Sequence, residues 1–195
     1  MHHDLVLTGP DVTLRPVSRA DAGEYAALTS DSLSWPEELR WHTSAPPVDE
    51  PTAAAALTRM LDDPGLTGFT VRGTDQGELR GVTSFYDHVP SVPRVEVGHT
   101  HYGRPFWGGV TNPAAKLLLL GHAFEEWGCV RVALRCDADN LRSVGAIRRL
   151  GASPEGVLRA HRRRHDGTVA DTAYFSVTDA EWPVVREGLR ARVSP

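Results

Sequence analysis

The stretch that most constrains this chain runs from Arg94 to Cys136. There RVEVGHTHY is followed by RPFWGGVTNPAAK, the apolar run LLLLGHAF and the alternating segment CVRVALRC. Alternating apolar residues read as strands, and the long apolar run between them reads as a helix. A helix joining two strands of one sheet makes them parallel, through a right-handed crossover. Antiparallel hairpins on either side of this unit make the expected sheet mixed. Ligands of such sheets sit beyond the C-terminal ends of the parallel strands, beside helix N-termini. The loop from Trp107 to Asn112 falls at that place.

That loop carries a glycine pair and an Asn-Pro step, and it feeds a helix, the usual setting in which protein holds a phosphate. Val110 stands where a phosphate loop would take a further glycine. A valine at positive φ is an outlier, so Val110 must keep ordinary torsions and Gly108-Gly109 must absorb the special ones. Asn112 is expected as the N-cap and Pro113 as the first helical residue. The N–H groups from Gly109 to Asn112, with the helix dipole, can then converge on a phosphate. Lys116 is the only lysine in the chain and lies one turn in, where it can add a point charge.

Around this centre the sequence predicts two short strands about Gly9-Pro10, a helix near Asp21 to Leu28, and a Pro- and Trp-rich loop from Ser30 to Pro51. That loop is expected to hold one short helix, and its Trp35 to Trp41 portion to shape an acceptor side. PTAAAALTRMLDDPG reads as a helix closed by Pro-Gly. GFTVRG and ELRGVTSFYDH read as a hairpin across TDQG. The central helix is expected from about Pro113 to Trp127. After CVRVALRC come the helix NLRSVGAIRRLGA, a hairpin across His165-Asp166-Gly167 and the C-terminal helix DAEWPVVREGLRARV.

At 195 residues with 41% hydrophobic and 24% charged side chains, the chain is expected to form a single domain over residues 1–195 with a sizeable core. A net charge of −4 points to neither nucleic acid nor a membrane surface as partner. With no apolar run of about eighteen residues and no leader pattern, the expected location is cytoplasmic. Cys129 and Cys136 are oddly spaced on one alternating segment, so they are expected as packed, reduced thiols on opposite faces. His99 and His101 could chelate a metal only with a third ligand nearby, so no metal is expected.

EVGHTHY, WGGVTNPAAKLLLLGHAFEEWG, RVALRCDADNLRSVGAIRRLGA and the closing DAEWP, in this order and spacing, resemble the GNAT acetyltransferase superfamily. Within it they are most similar to the ribosomal-protein N-terminal acetyltransferase (RimJ/RimL-like) branch, as is the opening GPDVTLRPV. The similarity runs from about Leu5 to Arg186. It implies an α/β GNAT (acyl-CoA N-acyltransferase) fold, a mixed splayed β-sheet with helices on both faces. Acetyl-CoA would lie between the EVGHTHY and RVALRC strands. The family's pyrophosphate motif, Q/R-x-x-G-x-G/A, maps onto Trp107, Gly108, Gly109, Val110, Thr111 and Asn112. Trp107 takes the Q/R place, Val110 a glycine place, and Ala114 the place of a frequent glutamate. The motif N-x-x-S maps onto Asn140 and Ser143. The implied cofactor-binding set adds Thr100, His101, Tyr102 and Lys116.

Acetyl transfer from a thioester to an amine needs a neutral amine, a polarised carbonyl and a proton for the departing thiolate. A backbone N–H between Thr100 and Tyr102 would polarise the carbonyl. Ser143 is the first candidate to protonate the thiolate and Tyr102 the second. Candidate bases are Glu96, His101 and His161, and simple alternation sets Glu96 on the face opposite His99 and His101. Some members of the branch use a glutamate on the first strand of the final hairpin, where this chain has Arg162. The lack of a dedicated carboxylate favours an α-amine. The run RAHRRRH reads as a solvated hairpin, or as recognition of an acidic substrate or the cofactor's outer phosphate. The expected activity is acetyl-CoA-dependent N-acetylation of a peptide or protein N-terminus by direct transfer in a ternary complex. A small-molecule amine acceptor and a non-catalytic acyl-CoA sensor are the competing readings, and the oligomeric state stays open, a homodimer included.

Overall fold

The computed structural model describes residues 3–30 and 40–193. Its strands are β1 (Leu7–Thr8), β2 (Val12–Pro16), β3 (Leu66–Gly73), β4 (Leu79–Val89), β5 (Arg94–Tyr102), β6 (Arg131–Asp137), β7 (Ser153–Arg163) and β8 (Val169–Thr178). The α-helices among the described residues are α1 (Ala22–Ser30), α2 (Glu50–Asp62), α3 (Thr111–Gly121), α4 (Leu141–Arg149) and α5 (Trp182–Val193). The sheet runs in the order β1-β2-β3-β4-β5-β6-β8-β7. Its central pair, β5 with β6, is parallel, and its other pairs are antiparallel. The expected mixed sheet with helices on both faces is therefore present. The short helix expected between Ser30 and Pro51, like Trp35, lies largely outside the described residues.

Both faces of the sheet are covered because its strands alternate apolar residues outward in two directions. On one face Phe69, Phe85, Val95, Val97, Val132 and Leu134 pack against Leu119 and Leu120 of α3 and Trp182 and Leu189 of α5. On the other, Leu79 and Val82 pack against Tyr25 of α1 and Ala53 and Leu57 of α2. Asp49 and Thr52 form a reciprocal capping box at the start of α2, with Pro51 in its first turn. Cys129 precedes β6 rather than opening it, and both cysteines are buried, free and in the same core cluster.

Two features of this frame position the site. First, β5 and β6 pair only from Arg94 with Arg131 to Val97 with Leu134. Beyond that point Gly98 to Tyr102 and Arg135 to Asp137 separate, so the sheet opens at its centre. Second, β5 carries a bulge opposite β4: Ser84 pairs with Gly98 and Val82 with His101, leaving His99 and Thr100 to face Thr83. His99 takes the left-handed torsion φ 48° that this requires.

Candidate functional site

The opening between β5 and β6 leads into a cavity of about 860 Å³. Gly98 to Tyr102 line one wall and Leu134 to Asp137 the other, while Trp107 to Gly109, Asn112, Lys116, Asn140 and Ser143 close one end. Trp41, His42 and residues His161 to Arg163 of the β7–β8 hairpin line it as well. Backbone groups of β5 that have lost their β6 partners face this space, and buried backbone polar groups need partners. An extended ligand with amides of its own suits that wall.

The glycine loop is built much as its residues dictate. Gly108 takes φ +73°, and a side chain at Gly108 or Gly109 would meet no atom within 4 Å, so open space lies before the loop. Val110 keeps φ −73° and ψ −23°, ordinary helical angles. The helix starts earlier than its sequence suggests: Val110 is the capping residue, Thr111 the first helical residue and Asn112 already in the first turn. Asn112 is therefore not the N-cap. No side chain caps this end, so its first N–H groups and the helix dipole stay available for an anion. The far end also differs, since α3 gives way at His122 to a wider π-turn through Glu126.

Trp107 holds the loop to the strand, its indole N–H donating to the Tyr102 carbonyl at 2.7 Å. The Arg142 guanidinium lies 3.7 Å from the centre of the Trp107 ring, joining α4 to the loop across the opening. At the start of α4 the Asn140 side chain accepts from the Ser143 N–H at 3.0 Å, the cap expected of N-x-x-S. Ser143 lines the cavity next to Cys136, whose thiol is pushed up by burial and eased by the Ser143 hydroxyl.

Lys116 does not act as a solvated point charge. It is 4% exposed and turned under the sheet, where Nζ donates to Thr100 Oγ1 at 2.9 Å and Thr83 Oγ1 at 3.4 Å. Burial with no carboxylate beside it pushes its ammonium down to about 7. Tyr102 is likewise deep, with its hydroxyl buried and unpartnered among the described residues and its ionisation pushed up by burial.

The bulge reverses the alternation of β5, which corrects the expectation that Glu96 and His101 face opposite ways. Val95, Val97 and Tyr102 look toward α3, whereas Glu96 and His101 share the α1 and α2 face. His101 lies 3.4 Å from the Tyr25 hydroxyl and edge-on to His42. Burial pushes His101 down to about 3, aided by His42 and Arg142, and His42 down to about 4, aided by Arg142 and Arg162, so both are neutral. His99 turns instead to Ser84 Oγ at 2.9 Å and the Tyr86 ring.

Glu96 is 7% exposed and sits 3.3 Å from Arg135 Nε, which also donates to the Tyr86 hydroxyl at 2.9 Å. Tyr86 and Arg135 line the cavity, and Glu96 stands behind them. His161 lies on the hairpin side of the cavity, its Nδ1 3.1 Å from Thr172 Oγ1. The opening thus gathers the loop, Asn140, Ser143, Thr100 and Lys116, with His101, His161 and the Glu96–Arg135 pair on the acceptor face. Reading the sequence missed Arg135, Tyr86 and His42 as parts of this wall. Arg135 alternates with buried Leu134 and Cys136, the one signal that marked it. Among the described residues no group of three or more His, Cys, Asp or Glu is placed to hold a metal ion, and no helix is long and apolar enough to cross a membrane.

Residues 11–153 match the model of the acetyltransferase (GNAT) domain family. The chain is 23% identical over 175 residues to an uncharacterized N-acetyltransferase, p20, of Bacillus licheniformis, covering 88% of this chain and 94% of that one. A T. thermophilus protein assigned as an acetyltransferase superposes with a TM-score of 0.88 at 34% identity, over the whole of both chains. Mycobacterium smegmatis RimJ, solved with CoA-disulfide, superposes at 0.76 with 20% identity over 96% of this chain and 92% of that one. The splayed parallel pair, the uncapped helix behind a glycine loop and the match over most of the chain place the protein in the GNAT acetyltransferase family, as an N-acetyltransferase of the fold that uses acetyl-CoA.

Proposed function

We propose that this enzyme acetylates the N-terminal α-amine of a peptide or protein, in the manner of the RimJ/RimL-like branch, by direct transfer in a ternary complex. One observation carries the choice of amine: the carboxylates around the cavity are already engaged, set back or exposed to solvent. Asp137 is held by Arg164 at 2.7 Å, Glu96 stands behind Tyr86 and Arg135, and Asp63 is exposed to solvent. An α-amine is roughly 10–20% neutral at pH 7, so a water passing its proton to His161 or Glu96 suffices. A lysine amine costs ~4.6 kcal/mol to deprotonate at that pH, roughly 3.5 kcal/mol more than an α-amine.

Acetyl-CoA supplies the activated acyl group. The wall from Gly98 to Tyr102 and the loop from Trp107 to Asn112 suit its pantetheine and diphosphate, with Asn140 and Ser143 across the opening. Backbone N–H groups between Thr100 and Tyr102 then polarise the acyl oxygen. Ser143, beside Cys136, gives a proton to the departing thiolate and regains one from solvent, with Tyr102 the deeper alternative. His101, neutral and walled by Tyr25 and His42, shapes the acceptor side without holding a charge there.

The test compares CoA release with short peptides carrying a free N-terminus, N-blocked peptides carrying one lysine, and simple alkylamines. The expected order puts the free N-terminus first by at least about tenfold in kcat/KM, with the lysine peptide near background. A lysine peptide or an alkylamine turned over equally well would overturn the assignment.

A further inference from the structure

We propose that the acceptor carries a carboxylate close to its reacting amine, and that Arg162 receives it. The inference rests on the acetyl-transfer reading and names the class of acceptor. Between Leu158 and Arg162 strand β7 bulges against β8, with Ala160 at φ 49° and its N–H held by Asp171 Oδ1 at 2.8 Å. The bulge re-aims the strand, and Arg162 pairs opposite buried Ala170 and lines the cavity. Arg162 Nε is buried and has no acceptor among the described residues. Arg162 is half-buried on the cavity wall and its Nε makes no hydrogen bond among the described residues, so an acceptor from outside the fold suits the guanidinium.

The neighbouring carboxylate of Asp137 feels the charge of Arg162 but gives its Nε no hydrogen bond. Both oxygens of Asp137 are taken by Arg164, at 2.7 and 2.9 Å, and Oδ1 also accepts from the Asp139 N–H. Arg164 lies two residues beyond Arg162, is satisfied by Asp137 and Asp139, and rests over the Trp41 ring at 4.9 Å. The His165 N–H donates to the His42 carbonyl at 2.9 Å, which fixes the hairpin tip across this end of the cavity. So Arg164 and His165 anchor the hairpin, and Arg162 is left on the cavity wall. Its charge is felt by His42 and Cys136 on either side, and Arg59 and Arg163 also line the cavity.

A carboxylate can come from an acidic residue at the first or second position of a peptide, or from the α-carboxylate of a free amino acid. Two matched probe pairs separate these: Ser-Asp-Gly-amide against Ser-Asn-Gly-amide, and serine against serinamide. Each is read by CoA release and by calorimetric binding to the CoA-bound protein. The proposal expects the acidic member of one pair to exceed its neutral mate at least tenfold in kcat/KM, chiefly through KM. Arg162→Gln should erase the preference, bringing the acidic probe down at least tenfold in kcat/KM to the level of its neutral mate, and Arg162→Lys should restore part of it. Equal turnover and equal binding within each pair would overturn the anion site and leave acetyl transfer standing. Preferential binding of an acidic probe with no turnover of any probe would overturn the transfer reading and keep the site. If Arg162→Gln instead weakens CoA while sparing dephospho-CoA, Arg162 serves the cofactor's outer phosphate and the proposal is wrong.

Discussion

Lys116 sits where its chemistry least prefers to be: a lysine inside the protein, with two threonine hydroxyls and no counter-charge. Its ammonium falls from an ordinary 10.5 to about 7. Above pH 7 the unfolded chain keeps a proton that the folded chain has shed, so folding stability rises with pH across that interval. The slope approaches about 1.4 kcal/mol per pH unit where the two states differ by a full proton. Urea unfolding of the cofactor-free protein at pH 7.0 and about 8.5 checks this, and Lys116→Met should flatten the difference. That window lies above the ordinary histidine value of 6.5 and below the cysteine value of 9.0, so the other shifted groups contribute little to the difference. A variant that keeps the wild-type slope would show that Lys116 is charged in the folded state. The identity of Lys116 as the sole lysine was legible in the chain. Its burial was not, because the threonines that receive it are 33 and 16 residues away in sequence.

At the scale of elements, the β7–β8 hairpin is held over the cavity mainly by Arg164 and Asp137. Asp137 is 1% exposed, so removing its partner strands a buried carboxylate. Arg164→Ala is expected to cost about 3 kcal/mol in urea unfolding at neutral pH, with Asp137→Asn in the same chain recovering part of it. Arg164 holds the Asp137 carboxyl below its ordinary value against the opposing effect of burial. Its contribution is therefore present above that value and lost as pH falls through the lower folded one, so the variant's deficit should shrink in acid. A deficit unchanged with pH would contradict the pairing. Most elements were legible from periodicity and from Pro, Gly and Asx punctuation, including the α2 boundaries and the hairpin turns. One, α3, was misplaced at both ends for physical reasons. Helix α3 begins at Thr111 because Val110 already holds helical torsions, although Asn-Pro reads as a cap and first turn. It ends at Gly121 because a π-turn follows, and nothing in LLLLGHAFEEWG marks a change of pitch.

For the molecule as a whole, the opening between β5 and β6 splits a continuous sheet and leaves strand edges facing a cleft. A ligand that bridges the edges adds contacts that the unfolded chain cannot make. Acetyl-CoA at about 100 times its dissociation constant should therefore stabilise the fold by about 2.7 kcal/mol. For a chain of this length that corresponds to a rise in melting temperature of roughly 5–10 °C. Differential scanning fluorimetry with acetyl-CoA, free CoA and inorganic diphosphate checks it. No shift at millimolar acetyl-CoA would show that the cleft does not hold the cofactor.

The sequence by itself determined the order of strands and helices, the parallel crossover, the glycine loop and the N-x-x-S cap. Each of these rests on contacts or torsions spanning a few residues, or on the rule that a helix between two strands makes them parallel. Tertiary structure alone decided which face Glu96 and His101 share, because one extra residue in β5 shifts a period of two. It alone turned Lys116 inward and set Glu96 behind Arg135 and Tyr86. It also left Arg162 Nε without an acceptor among the described residues while Arg164 took two carboxylates. Those outcomes depend on which distant charges and hydroxyls meet when the sheet closes, and local sequence carries no record of that.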